Sequence, residues 1–351
     1  MPESIIDISR NFFYEIVRPN LERECPAEMA RTAFGVFGYG SEALKLDDEY
    51  SRDHHWGLRI NALMPDDLFQ TRRDALQAAF RANLPASYQG HALREGHAGT
   101  GLELDSYESF LARTIGLKHA PQTLTEWLMI PEEDITHLTN GEVWYDPAGD
   151  LTRLRATFNA YYPEPVRLRR IANACRFYSG MGTYALKRAL LRDNPLYATI
   201  AFARSIRLGI HIAFMLDRTY YPYDKWLYAY LLRLPRMSAR LRALVDEAVA
   251  LETAWTRKLE LLDRMSDILD ETMVEDGVIA PHPKYVGSAS SGYRLLEHAY
   301  IEIIKKVPDE IKQVVPVTEQ IYLEQFHSGF VNAIDIETWH TALNLKPAPD
   351  A

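Results

Sequence analysis

A chain of 351 residues has room for one large or two ordinary domains, and with 47% hydrophobic residues it can bury a sizeable core, which counts against wholesale disorder. The formal net charge of −9 counts against non-specific nucleic-acid binding, which needs an electropositive surface. The cysteines, Cys25 and Cys175, make no Cys-x-x-Cys pair; this argues against a disulfide scaffold or a structural zinc site and suits a reducing cytoplasm.

Taken in chain order, the opening Met1-Pro2-Glu3-Ser4 lacks a basic region and Asp7 interrupts its apolar run, so no secretory signal is expected. Residues 5–21 read as a helix, because Ile5, Ile8, Phe12, Phe13 and Ile16 fall on one face. Residues 33–38 form a short apolar run that leans towards a strand and ends in Gly-x-Gly-Ser. Residues 56–64 read as a second strand, with Leu58, Ile60 and Ala62 alternating against Arg59 and Asn61. Pro65 and Asp66 open a helix with Leu68, Phe69, Leu76 and Phe80 as its buried stripe. A glycine-rich loop follows at 96–101, then a third strand at 101–105. Ser106 caps a helix that spans 107–115 and stops at Gly116.

Beyond about residue 120 the texture turns helical. Asp146-Pro147-Ala148-Gly149 is a turn, and helices are expected at 163–191, 195–216, 223–234, 238–271 and 317–330. Residues 277–292 read as a loop. The most apolar stretch, 198–216, contains Arg204, Arg207 and His211, so it reads as a buried helix and no membrane span is expected. The expected architecture is α+β: a small mixed-sheet domain over 1–120, an all-helical domain over 121–340, and a frayed tail over 341–351. A cleft between two such domains is a common place for a ligand.

The chemistry-bearing string is Phe37-Gly38-Tyr39-Gly40-Ser41-Glu42, followed by Asp47-Asp48-Glu49-Tyr50-Ser51-Arg52-Asp53-His54-His55-Trp56-Gly57. A polyphosphate wants backbone N–H donors at a tight turn, and glycine permits close approach. Gly40 and the Ser41 hydroxyl can supply these contacts. A divalent ion wants oxygen ligands, and residues two apart on a strand share a face, so Asp53 and His55 form a natural pair. Glu103, between Leu102 and Leu104 on the third strand, is the candidate to complete the site and accept a proton, with Asp105 as its alternate on the same face. Lys225, beside Trp226 at a helix start, can hold a phosphate as a point charge. Taken alone, Gly40-Ser41 is an ordinary turn, and the arginines of 167–192 are a solvated or ion-paired face.

Gly40-Ser41, a gap of eleven residues, and Asp53 resemble the polymerase-β-type nucleotidyltransferase superfamily. The fuller string, with Tyr221-Pro222-Tyr223-Asp224-Lys225-Trp226 and Leu232-Arg233-Leu234-Pro235, looks like a bacterial branch of it known only as a domain of unknown function. The resemblance spans roughly residues 5–270 on the quality of these patterns. It implies a small α/β nucleotidyltransferase domain followed by helices. It also implies transfer of a nucleoside monophosphate from a triphosphate to a hydroxyl, with Mg²⁺ or Mn²⁺ at the site. One departure stands out: the second motif carboxylate is His55 here. Three roles are open to it: ligand to a softer ion such as Zn²⁺ or Mn²⁺, general base beside a one-carboxylate site, or mark of a nucleotide-binding relic. The sequence thus supports a metal-dependent nucleotidyltransferase acting on a triphosphate and a small-molecule or protein acceptor. The competing reading is a non-catalytic nucleotide- or metal-binding module that acts through a protein partner.

Overall fold

The computed structural model describes residues 4–52, 57–82, 84–93, 101–283, 296–314 and 316. Asp53 and His55, the loop residues 94–100, the helix expected at 317–330 and the tail lie outside them.

The chain opens as expected, with a helix started by Ser4, whose hydroxyl accepts from the Asp7 N–H while Asp7 reaches back to the Ser4 N–H. Helix Ile5–Phe12 passes through a π-helical turn, Phe13–Val17, into helix Arg18–Glu24. Pro19 accounts for the wide turn: it has no N–H to donate and its ring crowds the carbonyl four residues back, so the backbone loosens there.

Among the described residues six strands follow: β1 (Ala33–Val36), β2 (Arg59–Met64), the hairpin of β3 (Ser87–Tyr88) and β4 (His91–Ala92), β5 (Gly101–Ser106) and β6 (Glu142–Tyr145). Four of them make one mixed sheet in the order β5-β2-β1-β6. β1 runs antiparallel to both neighbours, and β2 pairs parallel with β5. A parallel pair needs a crossover, which helix Asp66–Ala82 provides between them.

Strand periodicity then sorts the side chains. Ile60, Ala62 and Met64 of β2 join Phe34, Leu102 and the apolar faces of the first helices, Phe12, Phe13 and Leu21 among them, in one buried cluster with Leu76 and Phe80. Arg59 and Asn61 therefore point to the opposite face of β2, where both are nonetheless buried. Ser106 caps helix Tyr107–Ile115, and Gly116 ends it in the left-handed conformation, as the sequence indicates.

Strand β6 and helices Leu124–Met129, Glu132–Thr139 and Asp150–Asn159 were not expected from the sequence. Glu142–Tyr145 is too short to display a period. What makes it a strand is its partner: a Cβ on Gly35 would lie 2.1 Å from the Glu142 carbonyl oxygen, and one on Gly141 would lie 1.9 Å from that of Val36. Only two glycines let these backbones meet.

Contacts divide the chain into two compact units. The first comprises Met1–Glu164 and Asp217–Ser238; the second comprises Pro165–Leu216 and Ala239–Ala351. The sheet-bearing unit thus runs past residue 120 and takes back a later segment. In the second unit the described elements are helical. Helix Glu164–Phe177 continues through a π-helical segment, Tyr178–Thr183, into Tyr184–Leu190. Helix Pro195–Leu216 is long and apolar enough to cross a membrane by length and composition, but 67% of its apolar window is buried inside the protein. Gly209 lets it approach Met265, where a Cβ would meet the sulfur at 2.3 Å.

The single helix expected over 238–271 is two, Met237–Val249 and Trp255–Glu275. No proline or glycine marks the break. Side chains make it: the Thr253 hydroxyl donates to the Glu247 carbonyl at 2.7 Å, and the Lys258 ammonium donates to the carbonyls of Ala248 and Ala250 at 2.6 and 3.0 Å. A cation on the last carbonyls is the favoured partner of a helix C-terminus.

Candidate functional site

Strand β1 leads straight into the Gly38-Tyr39-Gly40-Ser41 turn. Gly38 has φ +87° and Gly40 φ +132°, conformations that side chains rarely adopt. The turn is pinned on several sides. The Phe37 N–H donates to Asn61 Oδ1 on β2 at 3.1 Å. The Gly38 N–H donates to Asn140 Oδ1 at 2.9 Å, and Asn140 Nδ2 returns a bond to the Gly38 carbonyl at 2.7 Å. His137 Nδ1 lies 3.2 Å from that same carbonyl. Burial pushes the His137 imidazole below its ordinary pKa, with the Gly38 contact opposing, so the ring stays neutral and presents one donor there.

Charge holds the next residues. Glu42 and Arg59 are buried, their side chains only 9% and 5% exposed, with Oε1 and Nη1 2.8 Å apart. The angular geometry of a hydrogen bond is lacking at Glu42 Oε1, so attraction between charges is what joins them. Arg59 Nη1 also donates to the Tyr39 carbonyl at 2.7 Å. Gly40 stands against this pair: a Cβ there would fall 2.5 Å from the Glu42 carboxylate. Ser41 is half-buried, and its carbonyl accepts from the N–H groups of Leu44 and Leu46.

Glu103 lies on this same face. In the β2–β5 register it stands beside Asn61, and its Oε2 accepts from Asn61 Nδ2 at 2.7 Å. One amide side chain therefore connects the predicted carboxylate to the mouth of the glycine turn. Asp105, the alternate, is turned to Arg113 at 2.8 Å and caps the Ser106 N–H. Asp48 caps the short 3-10 turn Glu49–Arg52, accepting from Tyr50 and Ser51 N–H at 3.0 Å each, which places its carboxylate in loop construction.

Lys225 is exposed, with its ammonium 4.8 Å from the Trp226 ring centre. Its neighbourhood reaches the turn. Tyr223 stacks on Tyr39 with ring centres 6.2 Å apart and planes 9° from parallel, and Trp226 Nε1 donates to the Tyr223 hydroxyl at 2.7 Å. Arg233 donates to the Leu44 and Lys45 carbonyls at 3.1 and 3.2 Å. The two strings that carry the resemblance, some 180 residues apart in sequence, thus lie in one unit and touch.

Of the predicted set, Glu103 reaches the start of the glycine turn that carries Gly40 and Ser41 through Asn61, and Lys225 lies beside Trp226, which bonds the Tyr223 stacked on Tyr39, while Asp53 and His55 lie outside the described residues. Among the described residues no three His, Cys, Asp or Glu side chains gather as a metal site, so these residues do not by themselves fit a divalent ion. Sequence reasoning missed Arg59, Asn61, His137 and Asn140. Two polar side chains inside an apolar strand are a signal for the first two; nothing local marks His137 or Asn140, which act a hundred residues from their partner.

An α+β chain with a mixed sheet and a clamped glycine turn at the end of its first strand is the class of protein these observations define. Residues 127–227 match the family model described as a domain of unknown function (DUF4037). That is the level at which the sequence strings placed the chain. A crystal structure of a nucleotidyltransferase-like protein from Exiguobacterium sibiricum 255-15 is similar at 11% identity and a TM-score of 0.39, covering 88% of this chain and 89% of that one. No curated protein matches the chain.

Proposed function

We propose that the chain is a nucleotidyltransferase. Support comes chiefly from one observation: Glu103, Asn61 and the Phe37 N–H form a hydrogen-bonded path across one sheet face into a turn whose two glycines have positive φ. In this reading the N–H groups of Gly40 and Ser41 and the Ser41 hydroxyl receive the terminal phosphates, and Lys225 adds positive charge. The acceptor hydroxyl attacks the α-phosphorus in line; the new P–O bond forms as the bond to pyrophosphate breaks, and pyrophosphate leaves with the electron pair. The hydroxyl proton passes to Glu103 or to His55 and then to solvent. Asp53, with His55 and Glu103, would hold a divalent ion, Mg²⁺, Mn²⁺ or Zn²⁺, whose part is to neutralise phosphate charge. The acceptor is a small molecule or a protein.

Pyrophosphate release, measured with each triphosphate, each of the three ions and a metabolite extract, tests this. Asp53→Ala and Ser41→Ala should abolish it, and Glu103→Gln should slow it about 100-fold or more. Tight nucleotide binding without turnover under any ion would instead favour the binding module, a reading the His55 position supports. No turnover and no nucleotide-dependent rise in melting temperature would end both, because a ligand of the folded state must stabilise it.

A further inference from the structure

The first unit contains a cavity of about 270 Å³ that the glycine turn does not line. Its wall includes Thr136, Asn140, Asn159, Tyr161, Arg218 and Tyr230. Four features of this wall bear on function.

The lining is amide, hydroxyl and aromatic ring, and its single cation is already matched: Arg218 Nη2 lies 2.8 Å from Glu164 Oε2. Asn140 and the hydroxyls of Thr136, Thr139 and Tyr220 already bond within the protein, so an uncharged ligand would meet Asn159 and the remaining lone pairs of those hydroxyls. The rings are fixed in place, Tyr161 packing on Tyr220 with centres 4.7 Å apart. Fixed aromatic faces beside amides accept a flat or puckered ring at little entropic cost.

The backbone is strained here. Five non-glycine residues among those described have positive φ, and two of them, Tyr161 at +69° and Arg218 at +49°, line this cavity. Strain of this kind persists only where surrounding structure enforces it, and it clusters at ligand sites.

The wall also grips both ends of the glycine turn. Asn140 holds the N–H and carbonyl of Gly38. Tyr230 carries the Arg233 guanidinium 4.8 Å above its ring, and Arg233 holds the Leu44 and Lys45 carbonyls just past Ser41. An occupant would therefore rest on residues that set the shape of the turn.

Size completes the case. The volume falls just under the roughly 300–1,000 Å³ usual for ligand pockets, which is room for a single ring in a pocket open to solvent.

We propose that this cavity binds a single uncharged, hydroxyl-bearing ring, the chemistry shared by a nucleoside's ribose and a free monosaccharide.

The test is calorimetric titration of the full chain with adenosine, uridine, ribose and glucose, alongside melting curves. The wild-type chain should bind at least one of them. Heat from nucleosides alone identifies a nucleoside ligand, and heat from a free sugar identifies a monosaccharide. Asn159→Ala, at an exposed wall position, and Tyr230→Phe should each weaken binding about tenfold, the size of one lost hydrogen bond, while melting as wild type. Ser41→Ala should leave it unchanged. No heat from any of the four, or equal affinity in both folded wall variants, overturns the proposal.

Discussion

At the scale of single residues, the Glu42–Arg59 pair decides the most. Two charges with under a tenth of their side-chain surface exposed are costly to bury and costlier to separate. Arg59→Met strands the Glu42 carboxylate and removes the clamp on the Tyr39 carbonyl, so denaturant unfolding should show a loss of about 3–5 kcal/mol. Adding Glu42→Gln to that variant should recover much of it; an additive loss in the double variant would show that the pair is not coupled. Part of this was legible: Arg59 and Asn61 stand out in an otherwise apolar strand, and Gly40 and Ser41 are where the motif places them. That Gly40 is glycine because the Glu42 carboxylate fills the space of a Cβ could not be read, since it depends on a pairing across the loop.

At the scale of elements, helix Glu132–Thr139 works for the turn. It presents His137, and the following Asn140, to Gly38. The helix pays for its first turn of three acids, since burial, then the adjacent Glu133, pushes the Asp134 carboxyl up to about 6 from an ordinary 3.8. An acid whose folded-state pKa is raised contributes stability that is complete below its unfolded value and lost as pH rises through the folded one. The window is therefore about pH 4 to 6. Asp134→Asn should gain on wild type across it by on the order of 1–2 kcal/mol, after allowance for partial exposure, as read from melts at a series of pH values. A gap that does not change with pH would refute the assignment. The first helices, three of the four sheet strands and the capped helix after β5 follow from local period, caps and glycine stops. Strand β6 and the break at 250–254 do not, because the first comes from its pairing partner and the second from side chains reaching back to carbonyls.

At the scale of the whole molecule, the sheet-bearing unit is made from two separate stretches of chain, 1–164 and 217–238. The later stretch supplies Tyr220, whose hydroxyl bonds the Phe158 carbonyl, as well as Tyr223 and Arg233 against the turn. A fragment of residues 1–164 should therefore lack a sharp cooperative melt by circular dichroism, and tethering 217–238 to it should restore one. A fragment of 1–164 that melts as sharply alone would show that the later stretch is ornament. The sequence offered no sign of this return, because the punctuation at Pro222 and Pro235 reads equally well as two more helix ends.

Both native cysteines are buried, and desolvation, the largest influence on each, makes their thiols reluctant to ionise. A thiol must ionise to be alkylated. A cysteine engineered at Tyr39 or at Asn159 would thus be the one fast-labelling position in an otherwise silent background. Dyes attached there in turn would tell nucleotide docking at the turn from ring capture in the cavity.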